Sequence, residues 1–248
     1  MTGTAGRRPG TFVLVHGSWH GGWCWARLAR RLVAAGHRVL APSLTGHADR
    51  AHLLSPAVGL STHVEDIAAL LVHEEIDDAV LLGHSYGGMV VTGVADRLPG
   101  RIRLLAYLDA HVPDDGQSMC DLIGEAVTQR LRARVDAEGF GWILPASPAA
   151  MFGTGGEDAA WIDRKATPMP WRCYAEPVAL AGGLADVRAR AYLRCTRHER
   201  VYFDAAAGRA RAAGWPVRAL PAAHNAMITH PDLLAEALLA LLAETAQP

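Results

Sequence analysis

The stretch Gly83-His84-Ser85-Tyr86-Gly87 lies between a short apolar run at 79–82 and a longer, helix-compatible run at 88–98. A serine on a sharp turn from strand to helix has its hydroxyl held clear of the sheet, and the flanking glycines lack the Cβ atoms that would collide there. The motif also occurs by chance, but here the strand and the helix supply the context that it requires. Ser85 is therefore the candidate nucleophile.

Short apolar strands alternate with helical patterns on both sides of this turn. We predict strands at 11–15, 37–41, 79–82, 102–108, 191–195 and 216–220, and helices at about 23–35, 62–74, 88–98, 204–213 and 231–244. Wholly apolar strands that alternate with helices are typical of an α/β fold whose mostly parallel, doubly wound sheet is covered on both faces.

The alternation is interrupted between residues 111 and 188, where Pro, Gly, Trp and Met are frequent and no strand is predicted. We interpret 111–188 as an inserted, mainly helical cap, since such an insertion in a doubly wound domain more often covers the site than folds separately. The α/β core then comprises 11–110 and 189–248, and it follows a flexible N-terminus at 1–10.

Composition excludes several classes of protein. The 248 residues include 24 basic and 25 acidic side chains, so no basic surface for nucleic acid or anionic lipid is indicated. The 4 cysteines form no CxxC pair, which favours reduced thiols. Because no apolar run has the length of a signal peptide or a membrane span, we expect a cytoplasmic protein with a small-molecule substrate. A homodimer is compatible with the sequence, which does not decide the oligomeric state.

A serine hydroxyl needs a neighbouring base to act as a nucleophile. His224 fits best among the 12 histidines, because it lies between the last predicted strand and the last helix, at the edge where doubly wound sheets place their sites. We interpret His37, His63 and His73 as surface positions. The histidines lack metal-ligand spacing such as HExxH, and no phosphate-binding loop precedes a helix, so we expect neither a metal nor a cofactor.

Two acids compete for the role of orienting His224. Asp109 ends the apolar strand 102–108 at the expected catalytic edge, whereas Glu199 lies just beyond the strand 191–195. Both satisfy the chain order nucleophile, acid, histidine. Each acid also has a non-catalytic explanation: a turn or helix cap for Asp109, and a solvated loop charge, flanked by arginines at 197 and 200, for Glu199. We favour Asp109. The alternative nevertheless stays open.

An acyl-transfer site also needs hydrogen-bond donors for the oxyanion. We expect one from the backbone N–H of Tyr86, the residue after the nucleophile, and one from the N–H of Ser18 in the loop after the first strand. Candidates for the substrate pocket, whose positions packing alone would also explain, are Trp19, His20, Met89, Trp171 and Tyr174.

Taken together, these motifs resemble the α/β-hydrolases of the plant methylesterase and hydroxynitrile lyase group and their bacterial relatives. The resemblance depends on the segments 12–25, 83–89 and 112–114 and on the surroundings of His224, and it covers about 11–110 and 190–246. Within the cap only 167–171 and 176–177 are similar. The resemblance implies an α/β-hydrolase fold and a serine, histidine and acid triad.

Two departures from this group bear on the chemistry. The lyases resemble this chain except that they carry a threonine at the position of Gly17 and a lysine at that of Asn225, so the resemblance implies the esterase branch. The group's acid usually follows the strand that ends at Cys195, which would select Glu199. Asp109 is instead similar in position to the acid of haloalkane dehalogenases. Those enzymes use an aspartate nucleophile, so Ser85 excludes their chemistry for this chain.

We therefore expect a serine hydrolase that cleaves a carboxylic ester, a thioester or a lactone. A lyase or cyclase acting on a natural-product intermediate, with His224 as general base, is the alternative from another reaction class. A ligand-binding protein with little turnover is the third hypothesis.

Overall fold

The computed structural model describes residues 9–245. At its centre is a six-stranded parallel sheet, whose strands are β1 (Thr11–Val15), β2 (Arg38–Leu40), β3 (Ala79–His84), β4 (Ile102–Leu108), β7 (Arg190–Cys195) and β8 (Val217–Leu220). Their order in the sheet is β2-β1-β3-β4-β7-β8. All five neighbouring pairs are parallel. The prediction of a doubly wound α/β fold is confirmed.

Helices cover both faces of this sheet, as its apolar strands require. On one face lie α1 (Ala26–Ala34), α9 (Ala226–Thr229) and α10 (Pro231–Glu244), which pack on one buried apolar cluster. On the other face lie α2 (Leu60–His73), α3 (Gly87–Arg97) and α8 (Val201–Ala212), which pack on a second cluster. The two clusters together form the core.

The strand order reverses between β1 and β3, which are neighbours although β2 lies between them in the chain. At such a point the loops that leave the carboxyl ends of the two strands diverge and open a crevice, where ligands of doubly wound sheets bind. The loop after β1 carries Ser18, and the turn after β3 carries Ser85. The topology therefore places both loops at one edge of the sheet.

The segment 111–188 contains four α-helices, two short 3-10 helices and two short strands. Its α-helices and strands are α4 (Met119–Ile123), α5 (Glu125–Glu138), β5 (Ile143–Leu144), α6 (Gly156–Lys165), β6 (Met169–Pro170) and α7 (Arg172–Ala175). The antiparallel β5-β6 pair corrects the expectation that this segment has no strand. Each strand has only two residues, so neither produces a recognisable periodicity in the sequence.

The sequence analysis also predicts reduced thiols and a flexible N-terminal segment. All four cysteines are free thiols, and three of them are buried. Of the N-terminal segment 1–10, residues 1–8 lie outside the described residues, as do 246–248. Among residues 9–245, no helix combines the length and the apolar character needed to cross a bilayer.

Candidate active site

Ser85 lies on a tight turn between β3 and α3, with a positive φ of 53°. Steric crowding explains the glycines around it: a Cβ on Gly83 would lie 2.6 Å from the Gly87 carbonyl oxygen, and a Cβ on Gly87 would lie 2.6 Å from that of Val15. The Ser85 carbonyl accepts hydrogen bonds from the N–H groups of Gly88, at 3.0 Å, and His111, at 3.1 Å. The turn is thus held by both neighbouring segments, and it presents a partly buried serine.

The loop after β1 packs directly against this turn. A Cβ placed on Gly17 would lie 2.8 Å from the Ser85 Cβ. The N–H groups of Ser18 and Tyr86 donate no hydrogen bond to any acceptor within the described part of the chain. Two unpaired backbone donors beside a candidate nucleophile are the components of an oxyanion hole. The Ser18 hydroxyl bonds the Tyr174 hydroxyl at 2.8 Å and so connects this loop to the segment 111–188.

His224 follows β8 and bonds Asp109, which follows β4. The Nδ1 of His224 lies 2.8 Å from Oδ2 of Asp109, and both side chains are almost completely buried. When Asp109 is ionised its carboxylate only accepts, so Nδ1 carries the proton and Nε2 keeps its lone pair, which is the tautomer that a general base requires. Among residues 9–245 no hydrogen bond joins the Ser85 hydroxyl to His224, but both side chains line one cavity.

Asp109 is fixed by groups of the neighbouring strand β7. Its Oδ1 accepts from Arg194 Nη1 at 2.8 Å and from the Cys195 N–H at 3.1 Å. The Tyr192 hydroxyl bonds both the N–H and the carbonyl of Ala110, the next residue. Asp109 has a positive φ of 43°. An unfavourable backbone conformation persists only where its surroundings enforce it, as these contacts do.

Burial dominates the ionisation of this pair. It raises the pKa of Asp109 to about 7, although the Arg194 guanidinium and the Cys195 N–H oppose the rise. Burial also lowers the pKa of His224 well below its ordinary value, and the neighbouring His198 adds to the effect. His224 is therefore a neutral imidazole at neutral pH, in the form that can accept a proton.

Glu199, the other candidate acid, is exposed and its carboxylate has no partner among residues 9–245. The residue of this loop that faces His224 is His198, whose ring centroid lies 5.2 Å from that of His224. The structure thus brings Asp109, and not Glu199, to the histidine. The sequence could not show this, because both acids follow strands that end at the same edge.

A cavity of about 300 Å³ lies between this edge and side chains of the segment 111–188. Its lining combines Ser85 and His224 with mostly apolar and aromatic side chains, and it includes the predicted Ser18, Trp19, His20 and Tyr174. The residues that the sequence analysis missed are His84, His111, Met119, Ile123, Val127, Arg130, Leu131, Ser147, Met151, Phe152, Arg200, Tyr202 and Phe203. One signal for them existed: Val127 and Leu131 are four residues apart, and so share one face of α5.

Two predicted lining residues do not reach this cavity. Met89 points from the first turns of α3 into the core and is completely buried. Trp171 packs beside Tyr174, with ring centroids 6.0 Å apart, and under the Arg132 guanidinium. In both cases packing against neighbouring side chains explains the aromatic or apolar residue.

His63 is a correction to the sequence analysis, since it is completely buried and not a surface residue. Its Nε2 donates to the Thr45 carbonyl at 3.0 Å, and its Nδ1 accepts from the Tyr86 hydroxyl at 2.9 Å. Burial lowers its pKa to about 3, so it stays neutral. His63 therefore anchors the side chain of the residue that follows Ser85.

The sequence matches the family model described as the alpha/beta hydrolase family over residues 12–237. It is 41% identical over 243 residues to the carbendazim hydrolyzing esterase of Nocardioides sp. (strain SG-4G), with 93% of this chain and 98% of that protein covered. It is 35% identical over 119 residues to methylesterase 10 of Arabidopsis thaliana, with 48% of this chain and 43% of that protein covered.

Among solved structures, the fold is similar to that of an extracellular alpha/beta-hydrolase from a Paenibacillus species. The TM-score is 0.84 at 24% identity, with 94% of this chain and 99% of that chain covered. The family assignment expected from the motifs is thereby confirmed. The chain belongs to the alpha/beta hydrolase family and is a carboxylic ester hydrolase.

Proposed function

We propose that the protein is a serine hydrolase that cleaves esters of small, largely apolar substrates through an acyl-enzyme on Ser85. The observation that carries this proposal is the 2.8 Å hydrogen bond between His224 and the buried Asp109, together with the cavity that His224 and Ser85 both line. That bond leaves Nε2 of His224 free to take a proton.

In the proposed reaction, Ser85 Oγ attacks the ester carbonyl while His224 Nε2 accepts its proton. The N–H groups of Ser18 and Tyr86 hold the oxyanion, and Asp109 stabilises the imidazolium that forms. His224 then returns the proton to the leaving alcohol. Water, deprotonated by the same imidazole, releases the acid from Ser85. Among the described residues, no carboxylate that would repel this anionic product lines the cavity.

The size of the cavity limits the acyl group. About 300 Å³ is at the small end of ligand pockets, which range from about 300 to 1,000 Å³. We expect p-nitrophenyl esters with short acyl chains to be hydrolysed fastest, and the rate to fall once the chain outgrows the cavity. Turnover that still rises at a dodecanoyl chain would show that the acyl group binds elsewhere. Carbendazim belongs in the same panel, because a relative with 41% identity is named for hydrolysing it.

The contact between Gly17 and the elbow gives a second test. In Gly17→Ala the new Cβ would lie 2.8 Å from the Ser85 Cβ and 3.1 Å from the His84 carbonyl oxygen, so the loop must move away from Ser85. We expect kcat for a p-nitrophenyl ester to fall by roughly 10²–10³, the usual effect of losing one oxyanion donor. Gly100→Ala is the matched control, because its Cβ would meet no atom within 4 Å. Equal activity of the two variants would contradict the proposed oxyanion hole.

Two positions weigh against hydroxynitrile lyase chemistry in particular. Gly17 has no side chain and so no hydroxyl at the position where those lyases carry a threonine. Asn225, at the position of the lyases' lysine, is completely buried and donates to the Thr154 hydroxyl at 3.0 Å. It does not line the cavity. Neither position can therefore hold a cyanohydrin in the way the resemblance describes.

The proposal also predicts a pH dependence. We expect kcat/KM to fall as the pH is lowered through about 7, where Asp109 gains a proton and no longer stabilises the imidazolium. His224, whose pKa is lowered by burial, remains a competent base over this range. The apparent pKa of this acid limb describes the Asp109–His224 pair as a whole, since the two groups interact. Rates between about pH 5 and pH 9 measure it. A limb near 3.8, the ordinary carboxyl value, would contradict the role of burial.

A further inference from the structure

Arg194 is a buried arginine at the end of β7 that directly contacts Asp109. We propose that Arg194 is a positioning residue of the active site, which keeps the Asp109 carboxylate ionised and aimed at His224 and so sets the pH range of activity. This inference rests on the proposed function, because Asp109 matters to turnover only if His224 is the base.

Each nitrogen of the guanidinium has a partner. Nη1 donates to Asp109 Oδ1, Nη2 to the His198 carbonyl and Nε to Asp204 Oδ1, each at 2.8 Å. Nη1 also donates to the Cys195 carbonyl. A planar fork with five donors meets several acceptors in fixed directions, which a lysine cannot do. Arg194 therefore connects the acid, the loop after β7 and helix α8.

The contacts divide the two oxygens of Asp109 between two tasks. Oδ1 faces β7 and accepts from Arg194 and from the Cys195 N–H, whereas Oδ2 faces His224. With Oδ1 saturated, the carboxyl group cannot rotate without breaking two hydrogen bonds. Oδ2 is thus presented to His224 in one orientation.

Arg194 is also the cation in contact with a carboxylate that burial would otherwise neutralise. The ionisable groups around Asp109 come from β7, from the loops after β7 and β8, and from α8. They are Tyr192, Arg194, Cys195, His198, Tyr202, Asp204 and His224. Asp204 lies on the far side of Arg194 and is 62% exposed. Among the described residues, Arg194 alone brings a permanent positive charge into hydrogen-bond contact with Asp109.

Arg194 also supports the loop after β7, which carries His198. The loop after β7, where the resemblance places the acid of the family, turns His198 and no carboxylate toward His224. Arg194 holds the carbonyl of that same His198. One guanidinium therefore supports both the acid supplied by β4 and the loop that would ordinarily supply it.

The test is the pH profile of Arg194→Gln. Removing an adjacent opposite charge raises the pKa of a carboxyl group by about one to three units. We expect the acid limb of kcat/KM to move up by that amount, with activity recovering at higher pH. Arg194→Lys should keep its limb near that of the wild type, because the charge remains. Asp204→Asn is the matched control: it removes another partner of Arg194, and its limb should not move up.

Three results would overturn the inference. An Arg194→Gln enzyme of lower activity whose acid limb is unshifted would show that Arg194 has a purely structural role. An acid limb that moves equally in Arg194→Lys would show that the positive charge at position 194 does not set the limb. Should Arg194→Gln not fold, stability is compared at a pH above the raised limb, where Asp109 is ionised in Arg194→Met. There Arg194→Met/Asp109→Asn should be more stable than Arg194→Met, since the double variant leaves no unpaired buried charge. A double variant as unstable as the single one would also contradict the inference.

Failure of the proposed function is recognised separately. The rate at which a fluorophosphonate labels Ser85 reports activation of the nucleophile without any substrate turnover, and its pH profile can replace that of kcat/KM. A wild-type protein that neither turns over esters nor labels would overturn the proposed function and this inference with it. An active wild type with an unshifted Arg194→Gln profile would overturn this inference alone.

Discussion

Ser85→Ala is expected to lower kcat for a p-nitrophenyl ester by roughly 10⁶, as loss of the nucleophile does in serine hydrolases. The physical reason is that alanine has no oxygen to form the acyl-enzyme. Binding should persist, because the rest of the cavity lining is unchanged. The thermal midpoint should stay within about 1–2 °C, since the Ser85 hydroxyl forms no hydrogen bond within residues 9–245 and a surface-type change costs little.

Ser147→Ala is the control for this variant. Ser147 lines the same cavity, but its hydroxyl accepts a hydrogen bond from Arg134 Nη1 at 2.9 Å, within the segment 111–188. Its loss should change kcat by a small factor only. Fluorophosphonate labelling gives a second readout, which should disappear in Ser85→Ala and persist in Ser147→Ala. Ester turnover that survives in Ser85→Ala would exclude the acyl-enzyme mechanism.

Asp109→Asn is expected to lower kcat by roughly 10⁴, the effect of the same change in a serine, histidine and aspartate triad. An amide at position 109 can donate to Nδ1 of His224, which would transfer the imidazole proton to Nε2 and leave no base facing Ser85. The amide also lacks the charge that stabilises the imidazolium. Steady-state kinetics above pH 7, where Asp109 is ionised in the wild type, give the comparison.

Glu199→Gln is the matched control, since it makes the same chemical change on the exposed candidate acid. We expect wild-type kcat and an unchanged acid limb. The pair of variants separates the two acids cleanly, because only Asp109 bonds His224. If Glu199→Gln lost activity and Asp109→Asn kept it, the acid would be misassigned.

Local sequence patterns were sufficient for the architecture. The elbow at 83–87 and the alternation of apolar strands with helices depend on short-range sterics and on burial of both faces of the sheet, and these are visible in the chain itself. The strand at 102–108 and the helix at 231–244 were predicted with the bounds that the structure has. The two-residue strands β5 and β6 were missed because they carry no period.

Long-range packing decided the details of the site. Asp109 and Glu199 both follow a predicted strand, so the sequence alone does not separate them. In the structure β7 lies beside β4, which buries Asp109 against Arg194 and leaves Glu199 in solvent. Arg194 itself had no signal, because an arginine in an apolar strand gives no sign of its partners 85 and 10 residues away. Likewise, the sequence predicts His63 as a surface residue, whereas the fold buries it against the Tyr86 hydroxyl. The identity of a partner depends on which strands are neighbours, and only the folded sheet determines that.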